Sequence, residues 1–305
     1  MRVLLTGASG AVGAALAQPL RDAGHEVRAF ARDPARVRVA VDDVVTGDAV
    51  AGTGLDEALD GVDVAFYLIH SMEAEAGGGF ADAERRAAEH VAAAAGRAGT
   101  RRIVYLGGPV PPGERVSPHL SSRLAVEEVL LREVPEAVAM RASIVISAAS
   151  RSFRFLVRLV ERAPALPLPP WRENRTRPID GRDVTAYLLA AATSEAVDGP
   201  LSLDIAGPDE LTFGAMVERI RDHLGLGRPS VPLPVSLTSV AAPVAAAIAG
   251  EDPGLIGPLM GSLDSDLLPR DERAQELFPI RLHRFDRAVE RALREWEAVE
   301  DLAAR

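Results

Sequence analysis

The chain has no cysteine, which excludes disulfides and thiolate metal sites. It has no lysine either. All 34 cationic side chains are arginine, so a Schiff base and every other lysine-dependent mechanism are closed. Six histidines, at 25, 70, 90, 119, 223 and 283, are scattered without a metal-ligand spacing, and no metal is expected. Dense basic runs are missing and the net charge is −10, so nucleic acid is not expected as a partner. Nothing resembles a charged and apolar leader, and the expectation is a cytoplasmic protein. The longest uncharged stretch, Ser230 to Gly250, holds Pro232, Pro234 and Pro243 and many small residues. A buried alanine-rich helix is expected there rather than a membrane span. Oligomeric state is not legible.

What is present is ample apolar material. The 305 residues are 48% hydrophobic, enough for one large domain or two smaller ones, and disorder is excluded. The first half alternates apolar β-type runs with alanine-rich helical segments, the pattern of a parallel sheet covered on both faces. Strands are expected at Arg2–Thr6, Glu26–Ala31, Asp43–Thr46, Val62–His70, Arg102–Gly107 and Ala137–Ser147. Helices are expected at Ala11–Ala23, Leu55–Leu59, Phe80–Ala98 and Ser121–Arg132. Right-handed crossovers then give a doubly wound α/β sheet, residues 1–147.

From residue 148 the texture changes. An amphipathic helix around Phe153–Val160 leads to the proline-rich Pro164–Pro170, Trp171 and a group of arginines. A short strand near Leu201–Ile205, a helix over Thr212–Leu224 and a charged helix over Asp286–Ala304 follow. These pieces read as too irregular to extend the sheet. They are expected to form a smaller α/β substrate-binding region, residues 148–305, draped over the sheet's C-terminal edge and partly interleaved with it.

The chemistry begins at residue 6. The run Val3-Leu4-Leu5 meets Thr6-Gly7-Ala8-Ser9-Gly10-Ala11-Val12-Gly13, and a helical pattern follows at once. Strand, glycine turn and helix in that order suit a nucleotide pyrophosphate. Gly7 permits the tight turn, Gly10 lets backbone approach phosphates, and Gly13 lets helix pack on strand. The first-turn N–H groups and the helix dipole face the anion.

The residue after the second strand discriminates between nucleotides, since an acid bonds a ribose hydroxyl and an arginine accommodates a 2′-phosphate. Here the sequence is Phe30-Ala31-Arg32-Asp33-Pro34. Asp33 before Pro34 reads as a helix N-cap, which leaves Arg32, with Arg36 one turn on, for the phosphate. NADP(H) is therefore favoured over NAD(H). Asp48, after the third strand, reads equally as an adenine contact or a loop cap.

The glycine loop and Ala31-Arg32-Asp33-Pro34 resemble the short-chain dehydrogenase/reductase superfamily, and more narrowly its atypical, NmrA-like NAD(P)H-binding branch. Further matches are Tyr67-Leu68-Ile69-His70-Ser71-Met72, Tyr105-Leu106-Gly107-Gly108 and Ser117 to Arg123. Arg141 to Ile146, Arg177-Pro178-Ile179 with Asp183-Val184, and Ala206-Gly207-Pro208 through Leu211-Thr212 extend the resemblance to about residue 225. It implies a Rossmann-type fold, an oxidoreductase, and cofactor contacts from Leu68, Ile69 and Gly107 at the strand ends. It also implies a substrate-facing loop containing Trp171 and Arg177.

The departures matter as much. Dehydrogenases of that superfamily carry a Tyr-x-x-x-Lys pair assisted by a serine. This chain reads His119-x-x-x-Arg123 at the pair and Gly107-Gly108 at the serine, and none of its three tyrosines is followed four residues later by a cation. If the helix begins by His119, that histidine and Arg123 share a helix face. His119 is then a candidate proton donor and Arg123 a ribose or anion ligand, or the segment is a helix start that binds cofactor. His70, ending the fourth strand, is a candidate for substrate orientation. Three functions remain open: hydride transfer to a small carbonyl, quinone or enone; non-catalytic NADP(H) sensing; and an epimerase-type reaction on the same scaffold.

Overall fold

The computed structural model describes residues 1–70, 79–111, 116–234, 246–250, 257 and 260–302. Its frame is a parallel sheet of seven strands. Six of them are β1 (Arg2–Thr6), β2 (Glu26–Ala31), β3 (Asp43–Thr46), β4 (Val64–Tyr67), β5 (Arg102–Gly107) and β6 (Glu136–Ala142). The order is β3-β2-β1-β4-β5-β6, and the strand Leu201–Ile205 adds to β6 as the seventh. Strand order reverses between β1 and β4, and the crevice above that point is where open α/β sheets take ligands.

Side-chain alternation explains why both faces are dry. Val3 and Leu5 of β1 enter one core and Leu4 the other. The first core is closed by α1 (Ala11–Asp22) and α6 (Gly181–Thr193), the second by α2 (Leu55–Leu59), α3 (Phe80–Ala98) and α4 (Pro118–Glu133). Gly99, in the left-handed region (φ 71°), ends α3 as its C-cap. A third core joins α5 (Arg151–Arg162), α7 (Phe213–His223) and the helix Phe285–Glu297 around Phe153, Trp171 and Trp296.

Three expectations need correction. The strand expected to run from 137 to 147 ends at Ala142, because Ser143 turns the chain: its Oγ donates to Arg177 O at 3.2 Å. A separate two-residue strand, Val145–Ile146, then pairs with Ile179–Asp180. The fourth strand is shorter than Val62–His70, spanning Val64–Tyr67, and this frees Leu68 to His70 to line the crevice. Leu201–Ile205 does extend the main sheet, and α6 packs against α1, so the C-terminal half is built into the first-half frame. Ser71, Met72 and most of the uncharged stretch Ser230–Gly250 lie outside the described residues. Among the described residues no helix is long and apolar enough to cross a membrane.

Candidate functional site

A cleft of about 1090 Å³ runs across the C-terminal ends of the strands, from Arg32 and Asp48 at one end to His119, Arg123 and Arg151 at the other. Ser9, Gly10, Ala11, Val12 and Gly13 lie along it, as do Leu68, Ile69 and Gly107.

The glycine turn is tight for steric reasons the structure makes specific. Gly7 has φ 72°, and a Cβ there would lie 2.5 Å from Leu68 O. A Cβ on Gly13 would lie 2.3 Å from Gly7 O, so α1 rests on the turn itself. Gly10 caps α1 without a side-chain hydrogen bond, which leaves the first-turn N–H groups turned toward the cleft. Thr6 contributes from behind. Fully buried, it donates to Phe66 O at 2.9 Å and accepts from Leu68 N at 3.0 Å, which ties the end of β4 to the turn.

At the far end of β2, Asp33 accepts from Ala35 N at 3.0 Å, the N-cap role its place before Pro34 implies. Arg32 and Arg36 are exposed at the cleft rim, and neither is ion-paired among the described residues. The Asp48 carboxylate accepts from Val50 N at 2.7 Å and Ala51 N at 3.2 Å, so it caps its loop while lining the cleft.

At the opposite end the helix α4 begins at Pro118, with Ser117 Oγ accepting from Leu120 N, so His119 lies on it one turn before Arg123. Arg123 donates through Nη2 to Leu106 O and lies 4.9 Å over the Tyr105 ring. The Tyr105 hydroxyl donates back to Arg123 O at 3.0 Å. At Gly107, where the resembled dehydrogenases carry serine, a Cβ would lie 2.9 Å from Cε1 of Tyr105, so a side chain there would have to displace that ring. The His70 and His119 rings stand 5.2 Å apart. His70 Nδ1 meets Glu84 Oε1 at 2.8 Å, and Arg123 Nη1 lies 3.2 Å from the same nitrogen. Ser122 Oγ donates to the other Glu84 oxygen at 2.5 Å.

These contacts set the charges. Burial, then the His70 and Arg123 charges, push His119 down to about 4. Burial and the Arg123 guanidinium also lower His70, against the pull of Glu84. Burial would raise Glu84, but its His70 hydrogen bond and Arg123 overcome this and hold it down at about 2. The end of the cleft thus carries fixed cations, two neutral imidazoles and one paired carboxylate. None of the three tyrosines lines the cleft: Tyr67 and Tyr105 are buried, and Tyr187 donates to Gln275 Oε1 at 2.7 Å.

A family model described as NAD(P)H-binding matches residues 7–122. The chain is 30% identical over 236 residues to the (4-alkanoyl-5-oxo-2,5-dihydrofuran-3-yl)methyl phosphate reductase of Streptomyces griseus, covering 73% of this chain and 74% of that protein. It belongs to the NAD(P)H-binding family of that model, together with this reductase.

Two further proteins resemble the chain, one in sequence and one in fold. An uncharacterized protein of Mycobacterium tuberculosis is 28% identical over 236 residues, 76% of this chain, though the chain spans only 24% of that longer protein. The UDP-glucuronic acid 4-epimerase of Bacillus cereus, solved with UDP-glucuronic acid and NAD, superposes with a TM-score of 0.74 at 14% identity. The superposition covers 98% of this chain and 100% of the epimerase. That likeness concerns the fold.

The structure gathers the glycine loop, Arg32, Arg36, Asp48, Leu68, Ile69, His70, Gly107, His119 and Arg123 around one cleft. Thr6 supports the cleft from beneath. Trp171 and Arg177, expected on a substrate-facing loop, are not part of its lining. Trp171 is buried in the third core, among residues of α5, α7 and the helix Phe285–Glu297. Arg177 is spent on structure, donating to Gly207 O at 2.8 Å and pairing with Glu272. The sequence reading missed Glu84 and Ser122, which stand behind His70. Glu84 had a signal: it interrupts the apolar stripe of α3 between Phe80 and Ala87, on the helix's buried side.

Proposed function

We propose that the protein is an NADP(H)-dependent reductase of small molecules in which an alkene is conjugated to a carbonyl. The observation that carries this reading is the composition of the reacting end of the cleft: a guanidinium and neutral imidazoles, with no tyrosine. Reduction of an isolated carbonyl leaves an alkoxide that needs a proton from a well-placed acid. Hydride addition to a conjugated alkene instead leaves an enolate, whose charge rests on a carbonyl oxygen and needs electrostatic stabilisation first. Arg123, held by Leu106 O and the Tyr105 ring, provides a fixed positive charge for that oxygen. His119, neutral near pH 7, donates or accepts a hydrogen bond without acting as a strong acid. The name of the Streptomyces griseus relative supports the substrate class, since a 4-alkanoyl-5-oxo-2,5-dihydrofuran holds a ring alkene one carbon of which bears two carbonyls, both conjugated to it.

The residues fit the cofactor. The uncapped start of α1 and the Cβ-free faces of Gly7, Gly10 and Gly13 suit a pyrophosphate. Arg32 and Arg36, without ion-pair partners among the described residues, suit a 2′-phosphate. When bound, the reduced nicotinamide supplies the hydride.

The test is NADPH oxidation measured against 2-acylbutenolides, simple enones, quinones and isolated ketones, with the product analysed by mass spectrometry and NMR. Turnover is expected with the conjugated alkenes, with reduction at the carbon–carbon bond. Tight NADPH binding with no turnover on any of them would replace this reading with non-catalytic cofactor sensing.

A further inference from the structure

Glu84 is 97% removed from solvent in terms of its side chain, with only 3% exposed, inside a helix whose other buried positions are alanine and valine. A charge in such a place is retained only when it is well paired. Its two oxygens are taken by His70 Nδ1 at 2.8 Å and Ser122 Oγ at 2.5 Å. The Ser122 hydroxyl donates, which fixes that side of the carboxylate and aims the other at the imidazole.

His70 Nδ1 is contested. Arg123 Nη1, 3.2 Å away, has only protons to offer, and Glu84 Oε1 has only lone pairs. One nitrogen cannot serve both. A proton on Nδ1 satisfies Glu84 and excludes a hydrogen bond from Arg123; a lone pair on Nδ1 satisfies Arg123 and sets two electron-rich atoms against each other at 2.8 Å. Arg123 has a second anchor in Leu106 O and the Tyr105 ring, whereas the buried carboxylate depends on donors. The contest resolves in favour of Glu84.

We infer that Glu84, set by Ser122, is the positioning residue of the site: it holds His70 in the Nδ1–H tautomer, leaving Nε2 as the ring's one acceptor. Any hydrogen bond His70 makes to a bound molecule is then one that it receives, so the group of the substrate or cofactor facing it carries an O–H or N–H. This refines the reductase reading and rests on it for its consequence in turnover, though not for the tautomer itself.

The experiment is heteronuclear NMR on full-length protein with labelled histidine, with His70 assigned by the signal lost in His70→Asn. Wild-type protein is expected to show the Nδ1–H form of His70 in about tenfold excess or more, as a charge-assisted bond to a carboxylate gives. Glu84→Gln, whose amide can face either tautomer, is expected to lose that preference, and Arg123 then recruits the Nε2–H form. NADPH affinity is expected to stay within about twofold, while kcat/KM on a turned-over enone falls on the order of 10- to 100-fold, as for other carboxylates that orient a working imidazole. Glu84→Asp, which withdraws the carboxylate by one methylene, provides a second variant. The wild-type spectrum decides even if neither variant folds. His70 protonated at Nε2 in the wild type, or an unchanged Nδ1–H preference in a folded Glu84→Gln protein, overturns the assignment. Neither result requires turnover, so it is distinct from a failure of the reductase reading.

Discussion

The imidazoles of His70 and His119 face each other across 5.2 Å with their planes tilted by 54°, and both are held below the ordinary histidine range. Two rings this close beside Arg123 cannot both take a proton without like-charge repulsion. The pair makes a polar surface that stays uncharged near neutrality.

Acid stability follows from that. His119 titrates at about 4 when folded and at its ordinary 6.5 when unfolded, so the unfolded chain binds more protons between those values. The contribution is fully present above pH 6.5 and is lost as pH falls through 6.5 toward 4. Urea unfolding of wild-type and His119→Gln proteins should diverge over that window. Removing the histidine is expected to flatten the acid limb by roughly 2–3 kcal/mol. Parallel limbs would refute the assignment.

The two residues of the His119-x-x-x-Arg123 pair should separate kinetically. Arg123→Met is expected to lower kcat on the order of 100- to 1000-fold, as the loss of one fixed donor at a developing oxyanion does. His119→Gln keeps a neutral hydrogen-bonding group and is expected to retain kcat within about tenfold. A reversed ranking would make His119 the proton donor.

Arg32→Ala tests the nucleotide. Two charge-assisted bonds to a 2′-phosphate are at stake, and NADPH affinity is expected to fall about 10- to 100-fold while NADH affinity holds within about twofold. Calorimetric titration of both nucleotides reads this directly. Equal losses would remove the argument for NADP(H).

Glycines of the loop divide into two kinds. Gly13→Ala drives a methyl to 2.3 Å from Gly7 O, and about 1–3 kcal/mol of stability should be lost together with cofactor binding. A Cβ on Gly10 would lie 3.2 Å from Gly7 O, a tight approach but a far milder one, so Gly10→Ala should lose less stability than Gly13→Ala. Its methyl intrudes on the pyrophosphate instead, with NADPH weakened on the order of tenfold or more. Thermal melts alongside titrations distinguish the two.

Much of this was legible in the sequence because it is local. The β1 turn, the Asp33 cap, Gly99 and the start of α3 are written in contiguous residues whose backbone demands have few solutions. His119 and Arg123 were legible as a pair because one helical turn joins them. The rest depends on contacts between distant segments. Ser143 breaks its strand through Arg177, 34 residues away. Trp171 turns inward because α5, α7 and the last helix offer it a core, and no local pattern announces that. Glu84 and Ser122 meet His70 only once β4, α3 and α4 have assembled, so their roles could be read only as an odd charge on an apolar stripe.

The strand Leu201–Ile205 lies against β6 in the main sheet, with α6 against α1. The half of the chain that lines the cleft through Arg151, Phe155 and Leu263 is therefore also the half that seals the sheet's edge. A chain severed after residue 147 would leave β6 with a bare row of backbone donors and acceptors, an invitation to self-association. On the proposed reductase reading, specificity is thus not a detachable cartridge. An exchange of substrate preference with a relative would have to graft the segments above the sheet and leave the returning strand in place.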